Sequence, residues 1–306
     1  MTARPFDLSR RAVLRLGAVS AVALPLAACS GGYDSSPDPL APLLAAADAD
    51  AAAARALGGG VAGQVAEARA AQAAVLKVEV DRLNRPQERT SAPPATAPDL
   101  GAFKQRLATA REQAENAVPT LPAYRAGLAA AVAAGCAGLQ RLASSIGPGA
   151  DAQAPVAPAG TGASGAIDPL QKALASEHAA LWVYGTATAF LPGDFGAALK
   201  AGRAEHTARR DVVTQMLEGA GATPVAPEAA YVPPRPVTDT ASAAALVATA
   251  EQDCTTAWLG VITHTDDQPL RRMALQALIA ASRRGTPWRQ EAGEKPTAVA
   301  MPGQAA

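Results

Sequence analysis

The segments DPLQKALASEHAALWVYG (residues 168–185) and AGRAEHTARRDVVTQMLEG (residues 201–219) decide the fold. In both, hydrophobic residues alternate at spacings of three and four, which predicts two amphipathic α-helices. Glu177 lies on the hydrophobic face of the first helix, and His206 lies on that of the second with Glu205 beside it. A carboxylate on a core-facing surface is unfavourable unless it is paired or metal-bound. We therefore expect a buried polar site between two antiparallel helices.

The N-terminal segment has the features of an export signal. Arg10 and Arg11 stand in a sequence (residues 9–15) that resembles the twin-arginine consensus, and an apolar run (residues 16–28) follows it. This run is too short to span a bilayer as a mature helix. The residues up to Cys29 resemble the bacterial lipobox, in which the cysteine after the cleavage point becomes lipid-modified. We expect an extracytoplasmic protein, anchored to the cell membrane through a lipid on Cys29. An uncleaved anchor is the alternative.

The composition indicates a helical protein without a strong positive field. Aromatic residues make up 4% of the chain, alanine dominates, and runs of β-branched residues are nearly absent, which favours an all-α fold. Without residues 1–28, which hold four arginines and one aspartate, 23 basic and 26 acidic residues remain. This balance lacks the positive surface that nucleic-acid binding needs, so we expect no nucleic-acid partner.

The chain is expected to contain two helical halves. The predicted segments are a signal peptide (1–28), a tether (29–37), an N-terminal helical bundle (38–147), a Pro/Ala/Gly linker (148–167), a second bundle (168–289) and a flexible tail (290–306). The predicted helices span residues 38–57, 61–83, 99–118 and 123–146 in the first half, and 168–191, 195–219, 239–265 and 269–284 in the second.

Both halves follow one plan of connections. A long proline-rich connection separates the second helix from the third, and the other connections are short. Such a crossover between the second and third helices is typical of ferritin-like four-helix bundles. Short sequence matches occur in the same order in both halves, for example Arg69 and Gln72 against Arg203 and His206. The sequence therefore predicts an internal duplication, with two ferritin-like bundles in tandem.

Four short motifs in the second half carry a family resemblance. They are Ala175–Gly185, Ala204–Asp211, Tyr231 with Pro233-Pro234, and Pro236–Asp239. With these motifs the second half resembles the ferritin-like domain family of unknown function that is found in secreted bacterial lipoproteins. The resemblance implies a fold, but it implies no activity, because the family has none established.

The di-iron sites of ferritin-like proteins use one Glu on each of two helices and Glu-x-x-His on the other two. Glu177, Glu205 and Glu251 stand at the carboxylate positions of the first three helices, with His206 or His178 as substitute ligands. The predicted fourth helix has no Glu and no His, and neither Glu177 nor Glu205 begins a Glu-x-x-His motif. Because the ligand set is incomplete, a site that binds iron, manganese or zinc is the alternative interpretation of these residues. The favoured interpretation is a metal-free buried polar cluster of Glu177, Glu205, His206, Arg209 and Glu251.

Two functional hypotheses follow. The first is a non-enzymatic envelope lipoprotein that binds an unknown protein partner or a lipid, or acts structurally. The second is a degenerate metal-binding or di-metal oxidoreductase-type bundle. We favour the first and expect neither catalytic residues nor a cofactor, because the ligand set is incomplete and no nucleophile–base–acid spacing, phosphate loop or CxxC motif occurs.

Two cysteines remain after Cys29, one in each half. An oxidising compartment allows a disulfide between Cys136 and Cys254, which would join the two halves. Two free buried thiols, which pack as small hydrophobic groups, are the alternative.

Overall fold

The regular structure of the chain is helical. The computed structural model describes residues 36–83, 85, 99–147 and 163–304. These residues contain eight α-helices and no β-strand, so the predicted all-α class is confirmed. The helices are α1 (Ala41–Leu57), α2 (Gly60–Leu83), α3 (Leu100–Ala117), α4 (Ala123–Leu139), α5 (Ile167–Ala187), α6 (Gly196–Gly219), α7 (Thr240–Thr263) and α8 (Gln268–Glu291).

Three helices begin at an aspartate that caps their free backbone N–H groups. The side chains of Asp99, Asp239 and Asp267 accept hydrogen bonds from backbone N–H groups in the first turns of α3, α7 and α8. Two of these, α3 and α7, follow the long crossovers. Local sequence therefore fixes where each half resumes its helical course after the crossover.

The observed helix ends differ most from the predicted ones at α4 and α8. Helix α4 ends at Leu139 instead of residue 146, and residues 140–147 form turns. Helix α8 continues to Glu291 instead of residue 284, although Pro287 lies inside it. Trp288 is buried in this extension. Burial of a large aromatic side chain offsets the loss of one helical hydrogen bond at proline.

The same helix pairs form in the two halves. Helix α1 packs against α2 and α3, and α3 packs against α4. In the second half α5 packs against α6 and α7, and α7 packs against α8. The halves contact each other through α4, which lies against α7 and α8.

Helix α4 owes its central position to its small side chains. All of its residues from Arg125 to Leu139 are buried. A side chain at Gly127 would overlap Thr263, and Ser282 of α8 donates a hydrogen bond of 2.7 Å to the carbonyl of Ala134. Glycine and alanine therefore let the backbones of the two halves approach closely.

The C-terminal tail is packed, so the prediction of a flexible tail from residue 290 is wrong for the described residues. Ala298 and Met301 are buried, and the amide nitrogen of Gln72 on α2 donates to the carbonyl of Ala300 at 2.8 Å. Residues 292–304 run across both halves. Polar composition suggested a loose segment, but the tail has a small-residue surface of α4 to pack on.

One end of the molecule, called the proximal end below, collects the start of α1, the end of α2 and the start of α4. Buried Arg125 at the start of α4 forms ion pairs with Asp38 just before α1 and with Glu79 near the end of α2. Arg271 at the start of α8 donates to the carbonyl of Leu121 at 2.7 Å, so α8 also begins at this end.

The opposite, distal end contains the turn between α5 and α6. Trp288, near the end of α8, stacks on Phe195 with ring centroids 5.6 Å apart. Phe195 directly follows this turn. Because Trp288 lies 17 residues after Arg271, the two ends are separated by about 25 Å along α8.

None of the described helices combines the length and hydrophobicity of a transmembrane span. The signal peptide, most of the tether, the first crossover and most of the linker were predicted for segments outside the described residues.

Candidate functional site

The residues predicted to form a buried polar site meet between α5, α6 and α7. Glu177, His206 and Glu251 have no exposed surface. His206 lies between the two carboxylates, with Nδ1 at 2.6 Å from Oε2 of Glu177 and Nε2 at 3.2 Å from Oε1 of Glu251. The three helices thus bring together two carboxylates and one imidazole that lie far apart in sequence.

The geometry assigns both ring protons of His206. Carboxylate oxygens only accept hydrogen bonds, so both ring nitrogens must donate, and the ring is an imidazolium. Arg209 Nη2 lies 3.3 Å from Nδ1, but it does not need that atom as an acceptor, because its Nε donates to Glu177 at 3.0 Å. His206 is therefore a cationic bridge between two anions.

Two arginines complete the charge balance. Arg209 pairs with Glu177, and Arg284 of α8 donates to both carboxylate oxygens of Glu251 at 2.8 and 3.2 Å. Arg284 also pairs with Glu205, whose side chain is 45% exposed at the rim. At neutral pH the site therefore has equal numbers of negative and positive groups. The three anions are Glu177, Glu205 and Glu251, and the three cations are His206, Arg209 and Arg284.

The charges shift the pKa values in the direction that this assignment requires. Burial by itself disfavours the imidazolium, but Glu177 and Glu251 outweigh it and raise the pKa of His206 well above its usual value. Burial also opposes ionisation of the two glutamates. Arg209 and His206 nevertheless lower the pKa of Glu177, and Arg284 and His206 lower that of Glu251.

Two aromatic residues, Tyr184 on α5 and Trp258 on α7, also belong to the network. The hydroxyl of Tyr184 donates to Glu251 at 2.5 Å, and the indole N–H of Trp258 donates to Glu177 at 2.7 Å. Each lies seven residues after a network glutamate on its own helix, at positions 177 and 251. That spacing marks the same helix face and was the available signal.

Arg284 was not recognised as a site residue. It follows Ala277 and Ala281 on α8, which are both buried, at a spacing of three from the second. The spacing rule therefore extends to Arg284. The prediction ended the helix at this residue, so its side chain was not assigned to the core face.

Both cysteines are free and buried in the structure, so the disulfide alternative is wrong for the described fold. The thiol of Cys136 lies beside Arg69 and Gln72 in the first half. The thiol of Cys254 faces the carbonyl of Ser176 at 3.7 Å. Burial raises the pKa of both thiols, which keeps them protonated and unreactive at neutral pH.

A second buried polar cluster lies in the first half. Arg69 donates to Asp50 at 3.1 Å and also contacts Gln72, and Arg106 donates to Asp50 at 2.7 Å. Gln72 occupies the position that the internal sequence match aligns with His206. An uncharged amide thus stands where the second half has an imidazolium.

The donor set does not fit a di-metal centre. A metal ion would have to compete with protein donors, because all four oxygens of Glu177 and Glu251 already accept hydrogen bonds. A metal-bound His206 would also have to lose a ring proton while the Arg209 guanidinium stays 3.3 Å from Nδ1. The arginines and the imidazolium supply the positive charge that metal ions supply in di-metal sites.

The other predicted site residues do not join this network. His178 is part-buried, and its Nε2 lies 3.2 Å from the carbonyl of Val225 in the second crossover. Arg10, Arg11 and Cys29 lie outside the described residues.

Comparisons with known proteins give a family for the C-terminal part of the chain. Residues 169–306 match the family model of a domain of unknown function, DUF4439, and belong to that family. A solved structure, that of the conserved hypothetical protein rv2844 from Mycobacterium tuberculosis, is 32% identical in sequence. The match covers 44% of this chain and 96% of that one, with a TM-score of 0.41. No curated protein is significantly similar to the chain.

Proposed function

We propose that this protein, whose second half is a DUF4439 domain, is an exported lipoprotein of the cell envelope. It is anchored to the membrane through Cys29. Its role is to bind a partner or to act structurally, without catalysis. Each half is a ferritin-like four-helix bundle, and the two arose by duplication. In this proposal the buried network of the second half holds its helices in register and carries no cofactor.

Sequence features support the export route. A twin-arginine motif, an apolar run and a lipobox-like sequence ending at Cys29 occur in the order of a lipoprotein signal. Twin-arginine export carries folded proteins, and a fold without a cofactor is compatible with that route.

The repeated helix pairing supports the duplication. Each half pairs its first helix with its second and third, and its third with its fourth. A long crossover precedes the third helix in each half, as in ferritin-like bundles. The ordered sequence matches add independent support.

The non-catalytic role is supported by the buried network, because its carboxylates already have hydrogen-bond donors within the protein and its charges are balanced. Glu177 and Glu251 have a protein donor on every carboxylate oxygen, and the three anions are balanced by three cations. A site that binds substrate or metal needs a free donor or acceptor group. A fully satisfied network instead rigidifies and specifies one packing of the core.

The location is tested by fractionating cells that express the full chain. We expect the wild-type protein in the membrane fraction, with an N-terminal lipid on Cys29 seen by mass spectrometry. The Cys29→Ser variant should carry no lipid, so no lipid-modified form of it should occur in the membrane fraction. The neighbouring Ser30→Ala variant should behave as wild type. Unmodified wild-type protein in the cytosolic fraction would disprove the proposal.

A second candidate function rests on a different triad. Ligand atoms of Glu177, His206 and Cys254 lie within 4.8 Å of one another, and all three residues are buried. With His206 and Cys254 each deprotonated, this mixed set matches the nitrogen, sulfur and oxygen ligands of zinc. Iron and manganese, which prefer oxygen ligands, suit it less well.

Elemental analysis separates the two candidates. We expect far less than one zinc, iron or manganese ion per chain in residues 30–306 purified without a chelator or a histidine tag. Cys254→Ala is compared with Cys136→Ala, which removes the buried thiol of the other half. Stoichiometric metal that is lost only with Cys254→Ala would replace the structural role by a metal-binding one.

A further inference from the structure

An exposed hydrophobic patch marks the proximal end of the molecule. Within the described residues, five large hydrophobic side chains are exposed, and three of them belong to this end. Val75 and Val78 lie in the second half of α2, and Tyr124 lies at the start of α4, with exposures of 38%, 72% and 61%. We call these three residues the proximal patch.

The charges around the proximal patch are paired. Lys77 and Asp81 form an exposed ion pair of 2.7 Å, and Arg82 pairs with Glu79 at 2.8 Å. Glu79 of α2 also pairs at 3.1 Å with Arg125, the residue after Tyr124, which brings the α2 and α4 parts of the patch together. The surface is thus mildly hydrophobic and has little net charge.

The chain length connects this end to the proposed lipid anchor. Ser36, where the described chain begins, lies seven positions after Cys29. The fully extended length of this segment is at most about 25 Å. Asp38, two residues further on, is fixed at the proximal end by Arg125. A lipid on Cys29 therefore attaches the protein to the bilayer at this end, within about 25 Å of the lipid.

We propose that the proximal patch rests on the headgroup region of the bilayer and sets the orientation of the anchored protein. The inference depends on the proposed membrane anchoring. Tyrosine is favoured at membrane interfaces because its ring is apolar and its hydroxyl remains hydrated. Val75 and Val78 extend the same surface along α2.

The chemistry of the patch sets its binding properties. Three side chains bury too little apolar surface to hold the untethered protein on a membrane. Tethering makes the contact intramolecular and raises its effective concentration. Because the nearby charges are paired, we expect similar contact with zwitterionic and anionic lipids, unlike a polybasic surface.

The test replaces the natural anchor by an artificial one. Residues 30–306 carry an N-terminal histidine tag and are tethered to phosphatidylcholine vesicles that contain a nickel-chelating lipid. An environment-sensitive fluorophore is attached at Val78→Cys, or at Ala189→Cys in the distal turn as the matched control. Cys136 and Cys254 are buried, which protects them from labelling of the folded protein.

On tethering, we expect the emission at position 78 to shift to the blue and its intensity to rise about twofold or more, as for a probe leaving water for an apolar environment. The probe at position 189 should not respond. Replacing a fifth of the phosphatidylcholine with phosphatidylglycerol should leave both results unchanged. Tyr124→Ser should reduce the response at position 78 without altering the circular dichroism spectrum.

Equal responses at the two positions, or none at position 78, would overturn the inference. In that case the patch is free for a protein partner or a second copy of the chain. A response only with anionic lipid would indicate an electrostatic contact instead of an apolar one, and it would also overturn the inference. The artificial tether does not need lipidation of Cys29, so failure of the patch is distinguishable from failure of the proposed anchor, which the cell fractionation tests.

Discussion

Glu177→Ala lowers the free energy of unfolding of the second half by about 3–5 kcal/mol, the usual cost of removing one partner of a buried ion pair. The substitution leaves Nε of Arg209 and the indole N–H of Trp258 without their acceptor, and His206 without one of its two. The core then holds one uncompensated positive charge. All three tryptophans of the chain lie in the second half, so their fluorescence during urea unfolding reports on this half.

Two variants define the origin of the effect. Glu218→Ala removes an exposed glutamate from α6 and should change the free energy of unfolding by less than about 0.5 kcal/mol. Glu177→Gln keeps the shape and two acceptor lone pairs, so its loss should be smaller than that of Glu177→Ala. A loss below about 1 kcal/mol for Glu177→Ala would mean that water replaces the missing carboxylate and that the network is not tightly packed.

The stability of the protein falls as the pH rises from 6.5 to 8 because of His206. Its folded-state pKa is raised well above the usual 6.5. Above pH 6.5 the unfolded chain therefore releases this proton while the folded chain keeps it. Linkage for one proton gives a loss of at most about 1.4 kcal/mol per pH unit, which continues until the folded pKa is reached.

The glutamates act in the opposite direction at lower pH. Because the pKa values of Glu177 and Glu251 are lowered in the folded state, their contribution is complete above about pH 4.5 and is lost as the pH falls. His178 has a lowered pKa and adds a rise in stability with pH near its usual value, which reduces the observed slope. The maximum stability should lie between about pH 4.5 and 6.5.

Urea unfolding at pH 6.5 and 8.0 measures this dependence. His206→Gln should lose the decrease with pH, whereas His264→Gln, at an exposed histidine, should retain it. Measurements stay below pH 8.5, because the buried thiols have raised pKa values and add a decrease of the same sign above it. A wild-type stability that is equal or higher at pH 8.0 would show that His206 is neutral in the folded protein.

The helical course of the chain was predictable because its signals are local. Alternating hydrophobic spacings, proline-rich connections and capping aspartates act within a few residues of the helix ends that they define. The same local pattern predicted that Glu177 and His206 face the core. Helix α8 was one exception besides α4, since its continuation past Pro287 depends on the burial of Trp288 against other helices.

The composition of the buried site was only partly predictable. Spacing showed that Glu177 and His206 face inward, but it cannot show which groups on other helices meet them. Arg284 reaches Glu251 and Glu205 from α8, and Trp258 reaches Glu177 from α7. These pairings depend on the axial register of separate helices, which the packing of the whole core sets.

The sequence by itself determined that the chain is helical, where most helices begin and end, and which acidic and histidine residues face the core. Only the tertiary structure decided that Arg284 joins Arg209 in pairing with those residues, that both cysteines stay free, and that the tail packs across the halves. The physical reason is the range of the interactions. Helix periodicity and capping operate between neighbours in sequence, whereas charge compensation and close packing join residues that are distant in the chain.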